Sequence, residues 1–385
     1  MTRDLRLVAL SLFIWGVGEG MFFCFQPLYL QQLGADPVQI GAILGVAGFA
    51  MAIAHIPAGA LADRIGRKGV MVASWTLGLI TAWMMFLSPS LPLFVAGLVL
   101  YAGTAFVASP LSSYVTAARG TWDVTRALTT VSAFFNSGGI LGPLLGGQLA
   151  ERFGLRTVYG VAATLLILST ALIFLIRPQA TEPSPAGSRY QALLTRRPYL
   201  GFLALAFAVG FGMYLFWPLT PNYLQLTRAV SIGQIGVFAA FFSLGVVVLN
   251  LTLGRIPSRP AFLIVQAVVG VAALSLWLGT GAPWFAVGYF LAGGLRTERS
   301  LVTAQIQTLV HRAEMGLAYG LAETVQGLAL MASPPLAGYL YSLRPSLPYP
   351  VAVGLIGAMF VLSARLAPRA GPQLTRVSDL RRELP

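Results

Sequence analysis

Charge is scarce in this chain. Only 10% of its 385 residues are Asp, Glu, Lys or Arg, where a soluble domain carries about 25%. That shortage excludes an ordinary globular protein with a polar shell. Cysteine is almost missing: Cys24 stands alone inside an apolar run, which excludes an intrachain disulfide and a multi-cysteine metal site. The two histidines, His55 and His311, are far apart and lack ligand spacing, so no metal site is expected. One lysine, Lys68, stands against 24 arginines, a bias that says little about mechanism. No G-x-x-x-x-G-K-[ST] loop is present, so ATP is not the direct energy source of this chain. No nucleophile–base pair or metal cluster is visible, so an enzyme is not expected and no cofactor is implied. The net charge of +13 does not point to nucleic acid. A basic binding surface cannot be built from so few charges in so much apolar sequence, and the arginines read instead as topology signals.

What the chain does have is apolar length. It is 57% hydrophobic, with a mean hydropathy of +0.77. A helix crosses the hydrocarbon core with about twenty apolar residues. That ruler predicts an all-α integral membrane protein with twelve transmembrane spans. They cover 7–30, 38–62, 69–87, 92–118, 126–150 and 156–176, then 199–224, 231–253, 260–279, 283–310, 315–341 and 348–366. The first run is too long for a signal-peptide core and shows no cleavage site, so it reads as a retained helix. Between the sixes, Pro178, Pro183, Ser184, Pro185 and Gly187 accompany four arginines, the composition of a linker. The division expected is a bundle at 1–177, a cytoplasmic linker at 178–198, a second bundle at 199–367 and a tail at 368–385. A monomer in the inner, plasma membrane is expected.

Charge asymmetry orients the spans. One set of loops and ends holds Arg3, Arg6, Arg64, Arg67, Lys68, Arg119, Arg126, Arg177, Arg189, Arg196, Arg197, Arg255, Arg259, Arg312 and five further arginines from Arg365 onward. The other set holds Arg152, Arg156, Arg228 and Arg344. Basic loops stay in the cytoplasm, so both termini are expected there. The sequence also repeats itself. Gly18-Glu19-Gly20-Met21 matches Gly210-Phe211-Gly212-Met213, and Val38-Gln39-Ile40-Gly41 matches Val230-Ser231-Ile232-Gly233. Asp63-Arg64-Ile65-Gly66 matches Gly254-Arg255-Ile256-Pro257, and Pro143 matches Pro334. The near-constant offset argues for two duplicated, parallel six-helix halves with a site at their interface.

Two motifs carry a resemblance. Between spans 2 and 3 the chain reads Gly59-Ala60-Leu61-Ala62-Asp63-Arg64-Ile65-Gly66-Arg67-Lys68. In span 5 it reads Gly138-Gly139-Ile140-Leu141-Gly142-Pro143-Leu144-Leu145-Gly146-Gly147. Glycines four apart let a neighbouring helix approach closely, and Pro143 removes a backbone hydrogen bond and permits a bend. The first stretch resembles the loop between helices 2 and 3 of the major facilitator superfamily (MFS) of transporters. The second resembles the helix-5 motif of its proton-coupled antiporters, and Arg126-Ala127-Leu128 resembles the start of that helix. The resemblance extends over nearly the whole of 7–366, nearest to the drug/proton antiporter branch. It implies the MFS fold, with spans 1, 4, 7 and 10 lining a central cavity. It implies gating by Asp63, Arg64, Gly66, Arg67, Gly142, Pro143, Gly146 and Gly147, with Asp63 engaging the start of span 11 near Met315 in one conformation. A helix N-terminus is a fitting partner for an acid. The second copy has Gly254 where the first has Asp63, so this latch is expected in one half only. One family feature is missing. The R-x-x-Q-G of span 4 is replaced by Val99 and Ala102 before Gly103, which argues against a proton relay through that span.

Five ionisable residues lie inside the spans: Glu19, Arg296, Glu298, Arg299 and Glu323. Each costs at least about 2.5–3.5 kcal/mol at mid-membrane, so such residues are functional candidates by default. By helical rise Glu19 and Arg296 lie at matching depth, and so do Glu323 and Arg299. Arg296 and Arg299 share a face; Glu298 points elsewhere. The expected proton-coupling residues are Glu19, Glu323 and Glu298. The expected substrate-binding residues are Arg296, Arg299, Gln26, Tyr114, Asn136, Tyr214, Trp217, Asn222, Gln305 and Gln326. The resulting expectation is a secondary transporter that moves a small organic solute by alternating access, coupled to protons and favouring export. The alternatives are an organic anion or sugar transporter with Arg296 and Arg299 as a clamp, and a non-transporting membrane sensor on the same fold. Static ion pairs that only hold helices together are the bland alternative for the charges.

Overall fold

The computed structural model describes residues 1–54, 58–179, 196–307, 309–310 and 315–367. Every regular element among them is helical. The first half contains α1 (Arg3–Phe23), α2 (Gln26–Gln32), α3 (Pro37–Ala54), α4 (Ala58–Leu87) and α5 (Leu91–Gly103). A 3₁₀ turn (Thr104–Val107), α6 (Ala108–Ala118), α7 (Val124–Phe153) and α8 (Leu155–Phe174) complete it. The second half contains α9 (Arg197–Tyr214), α10 (Thr220–Arg228), α11 (Ile232–Leu253) and α12 (Ser258–Leu278). It continues with α13 (Ala282–Ala292), α14 (Gly294–Ile306), α15 (Met315–Leu343) and α16 (Pro348–Leu366).

Four of the expected spans are not single helices. The 7–30 segment breaks between α1 and α2, and its counterpart 199–224 breaks between α9 and α10. In the 92–118 segment the α-helix ends at Gly103 and passes through the 3₁₀ turn, with a bend of 40° between Leu91–Val107 and Pro110–Ala118, and its counterpart breaks at Gly293. The causes are local. Pro27 and Pro221 sit in the first turns of α2 and α10, where a missing N–H is harmless but a continued helix would lose a bond. Glycine at the other two breaks has the backbone freedom for a change of direction. The breaks fall in spans 1, 4, 7 and 10, those expected to line the cavity. Irregular backbone at membrane depth is tolerated where it is buried in protein or lines a cavity.

Span 2 also differs from the expected 38–62. Helix α3 stops at Ala54, residues 55–57 lie outside the described part, and the helical turn from Ala58 onward runs into α4. Gly66 kinks α4 with φ 75° and ψ 158°, a conformation essentially confined to glycine and costing other residues about 1–3 kcal/mol. Eight described helices are individually long and apolar enough to cross a membrane, and nine if the bent 91–118 pair counts as one. Segments 197–228, 282–306 and 315–343 are not among them, the first two being broken and the third diluted by polar and proline residues, and they occupy the places of spans 7, 10 and 11.

Lipid tails are as apolar as leucine, so helices associate here by close packing and hydrogen bonds. The glycine stripe of α7 is where this is plainest. A methyl group on Gly138, Gly142 or Gly146 would overlap the carbonyls of Phe13, Val17 or Met21 on α1. In the second half, Gly245 of α11 and Gly293 make the same kind of approach. The halves meet through α3 against α15 and α7 against α11. Gly41 lies on the Pro334 carbonyl, Gly338 on that of Pro37, and Gly147 on Gly236. Asn222 donates to the Pro27 carbonyl at 3.1 Å and to Gln31 Oε1 at 2.5 Å, and Ser231 donates to Glu151 at 3.3 Å. These ties lie at the end of the bundle away from both chain termini. At the end bearing the termini no comparable packing joins α6 to α14 among the described residues. The described helices therefore close on one side and part on the other.

Candidate functional site

The first wall of the central space is α1. Glu19 lies one turn after Trp15, whose indole Nε1 donates to Glu19 Oε2 at 3.0 Å. Trp15 is itself held. It stacks on Tyr101 at 6.0 Å between ring centroids and tilts against Trp75 at 5.2 Å. Its ring edge rests where Gly78 has no side chain. Trp75 donates to the hydroxyls of Ser11 and Ser169, each at 3.0 Å. The carboxylate is thus positioned by a donor that cannot easily swing away. Sequence reasoning missed Trp15 and Tyr101. The signal was available for Trp15, because residues four apart on a helix are neighbours.

The opposite wall is α14 with α15 behind it. Arg299 pairs with Glu323 at 2.5 Å, the two side chains 31% and 51% exposed. Glu298 is buried and accepts a hydrogen bond from Gln326 Nε2 at 3.0 Å, with both side chains shut off from solvent. Consecutive residues on α14 therefore face different surroundings, Glu298 into the packed α15 interface and the partly exposed Arg299 toward Glu323. Tyr214 sits within electrostatic reach of Arg296, Glu298 and Arg299.

Arg296 differs from its neighbour. It is exposed, and its guanidinium lies 5.7 Å above the Phe242 ring, within cation–π range. Phe242 stacks on Trp217 at 4.7 Å, and Trp217 meets Tyr289 edge-on at 5.1 Å. No described acid forms an ion pair with Arg296 within 4.0 Å. Glu19 on α1 and Arg296 on α14 belong to opposite halves and lie within electrostatic reach of each other. A guanidinium without an ion pair and an indole-bound carboxylate thus face each other from opposite halves. Exposed charges in mid-helix require a water-filled space.

The structure groups Glu19, Arg296, Glu298, Arg299, Glu323, Gln326, Tyr214 and Trp217. It puts others elsewhere. Tyr114 is fully buried, and its hydroxyl donates to the Arg177 carbonyl at 2.8 Å, at the end bearing the termini. Asn222 is one of the ties that close the opposite end. Gln305 is buried against α12 with its amide directed at the Ser258 carbonyl, 3.4 Å away. These three were expected to face the solute. A polar side chain on a cavity-lining span can equally serve its backbone neighbours, and here it does. Gln26 is buried at the start of α2. Asn136 lies on α7 and donates to Ser132 Oγ at 3.2 Å. The expected two-arginine clamp is also altered, because Arg299 already holds Glu323.

The expected gating residues divide. Gly142 and Gly146 pack within the first half against α1, whereas Gly147 and the Pro143 carbonyl lie on Gly236 of the second half. Gly66 forms the kink, and Arg67 reaches toward Gln179 Oε1 at 3.5 Å. The side chains of Asp63 and Arg64, the residues before Met315, and both histidines lie outside the described part, so the Asp63 latch does too.

The family model described as Major Facilitator Superfamily matches residues 8–214 and 202–383. The chain belongs to the major facilitator superfamily. Among relatives, it is 22% identical over 386 residues to the quinolone resistance protein NorA of Staphylococcus aureus, covering 94% of this chain and 96% of that one. It is 31% identical over 186 residues to the multidrug resistance protein MdtG of Salmonella choleraesuis (strain SC-B67). That match covers 45% of this chain and 44% of MdtG, so the chain spans about half the length of this relative. The crystal structure of the nucleoside transporter NupG superposes with a TM-score of 0.77 at 14% identity, covering 94% of this chain and 98% of that one. At that identity the likeness concerns the fold alone.

Proposed function

We propose that the protein is a twelve-span secondary transporter that exports a small amphipathic organic solute in exchange for protons, with Glu19 as the proton carrier. The observation that supports this most is the facing pair Glu19 and Arg296, on opposite halves and not in contact. A carboxylate binds a proton more or less readily according to how near a cation stands. Rocking the halves changes that distance, so the proton is taken up on one side and released on the other. Solute binding in the same space then couples to proton binding through a shared equilibrium. Trp217, Phe242 and Tyr289 offer the apolar surface beside Arg296, and Tyr214 offers a hydroxyl. Relatives named for multidrug and quinolone resistance are in keeping with export.

In this reading residues 1–177 and 199–367 form the two bundles, 178–198 links them and 368–385 is a tail. Both termini lie in the cytoplasm, the basic side, and the protein works as a monomer in the inner membrane. The described conformation is then inward-open. The test is solute transport in vesicles at two pH gradients by wild type and Glu19→Gln. Uncoupled or lost transport in the variant is expected. Undiminished coupling to the pH gradient removes Glu19 from the role.

One observation favours a second reading. Arg296 lacks an ion partner among the described residues, so an anionic group on the solute would find it available. Arg299 is held by Glu323, and the clamp in this case is Arg296 alone. Accumulation of a lipophilic cation against an organic anion separates the readings: in the second, Arg296→Gln should abolish binding of the anion, and in the first it should weaken coupling to the pH gradient while leaving solute binding in place.

A further inference from the structure

A second polar cavity lies at the end of the first half that bears the termini, away from the central space. Its volume is about 570 Å³, and Arg67, Ser112, Ser113, Thr116, Arg119 and Gln179 line it. No described acid is among its lining residues. The walls are tied together. Tyr114 on α6 donates to the Arg177 carbonyl at 2.8 Å, and Gln179 Nε2 returns a bond to the Tyr114 carbonyl at 3.1 Å. Lys68 Nζ donates to the Phe174 carbonyl at 3.1 Å. These bonds fix the end of α8 to α6 and to the start of the long part of α4. Arg119 Nη1 is anchored on the Thr116 carbonyl at 2.6 Å, and Arg67 Nη1 points at Gln179 Oε1 at 3.5 Å. A guanidinium has five N–H donors. Each arginine therefore keeps most of its donors for another acceptor.

We propose that this cavity binds a phosphate group, carried by an anionic phospholipid at the membrane surface. Two guanidiniums with hydroxyls and an amide around them match the oxygens of a phosphate monoanion or diester, which arginine holds in a bidentate fashion. Basic pockets between membrane helices on the basic side are the places where lipid headgroups are held. Free inorganic phosphate has the same chemistry and is the other source. The site is independent of the transport reading, since none of its residues touches the central group.

The test uses the full-length purified protein in detergent. Thermal unfolding and native mass spectrometry are measured with phosphatidylglycerol, with phosphatidylcholine and with inorganic phosphate. Phosphatidylglycerol should raise the Tm and stay bound, and phosphatidylcholine should do neither. Arg67→Ala/Arg119→Ala should weaken phosphatidylglycerol binding about tenfold or more, the scale of charge-assisted hydrogen bonds. Arg255→Ala/Arg365→Ala, which removes the same charge elsewhere, should leave it unchanged. Stabilisation by inorganic phosphate alone, lost in Arg67→Ala/Arg119→Ala, upholds the site and names the soluble anion as its ligand. Ser113→Ala and Gln179→Ala keep both charges and should each weaken binding less, which keeps the proposal testable if the double variant does not fold. Equal phosphatidylglycerol affinity in wild type and every pocket variant, or equal loss in the control, overturns it.

Discussion

The two halves share a plan and differ in chemistry. Both break their first and fourth spans, both close helices together through glycine, and both set a tryptophan beside a tyrosine: Trp15 with Tyr101, and Trp217 with Tyr289. In each pair the tyrosine is buried. The charges do not repeat. Glu19 has Phe211 as its counterpart, and at the repeat offset Arg296, Glu298 and Arg299 correspond to Ala105, Val107 and Ala108. The first half offers one positioned acid. The second offers a cation, an ion pair and a buried acid–amide pair. Backbone packing tolerates few changes and so keeps its symmetry. In the proposed exchange of solute for protons, a site that binds a proton on one side of a moving interface needs unlike groups across it, which accounts for the polar residues parting company.

That contrast can be broken or sharpened by mutation. The largest effect is expected at Glu19. Replacing it by Gln should remove most of the coupling between proton and solute, about 1–3 kcal/mol or 5–150-fold in affinity linkage, read as the dependence of solute binding on pH. Phe211→Glu, the mirror change, should not create coupling, because α14-type cations are absent opposite it; gain of coupling would make the halves equivalent. Next comes the scaffold. Gly146→Val should destabilise by about 1–3 kcal/mol or more through overpacking on the Met21 carbonyl. Gly139→Ala, on the same helix with open space around it, should be close to neutral. Thermal unfolding of the two variants decides this, and equal effects would show that the stripe is not the packing face.

A third change tests the buried acid. Gln326→Leu leaves Glu298 without its donor and should cost about 1–3 kcal/mol, most of it recovered in Glu298→Met/Gln326→Leu, where both partners are apolar. A double-mutant cycle on stability measures it. Asn222→Ala removes the tie to Pro27 and Gln31 and should shift the conformational equilibrium toward the far-open state by about 0.5–1.5 kcal/mol, seen as faster labelling of cysteines placed at that end. The smallest effect is expected from Arg299→Ala/Glu323→Ala. That pair is partly exposed, and such pairs contribute about 0–1 kcal/mol; a loss of stability well above that would mean the pair is a structural brace.

Much of this is legible in the residues themselves. Apolar length locates the helices, and helical rise sets Arg299 at the depth of Glu323, its partner in the fold. Face periodicity separates Glu298 from Arg296 and Arg299. The helix breaks are not legible, because Pro27 and Gly103 lie inside runs apolar enough to read as continuous. Tyr114, Asn222 and Gln305 are misplaced by sequence for a related reason. Their depth can be estimated, but not whether the nearest acceptor is a solute or a backbone carbonyl.

The sequence alone determined that the chain belongs in lipid, that it repeats one bundle, and which titratable groups fall inside the apolar runs. Hydropathy, repeat offset and helical rise are properties of a single strand of text, and need no neighbour. Only the tertiary structure decided which group meets which: Trp15 on Glu19, Gln326 on Glu298, Asn222 across the closed end. Between helices that are apolar all round, any face can pack in principle. The choice is made where backbone meets backbone at glycine, and that cannot be known until both surfaces are in place.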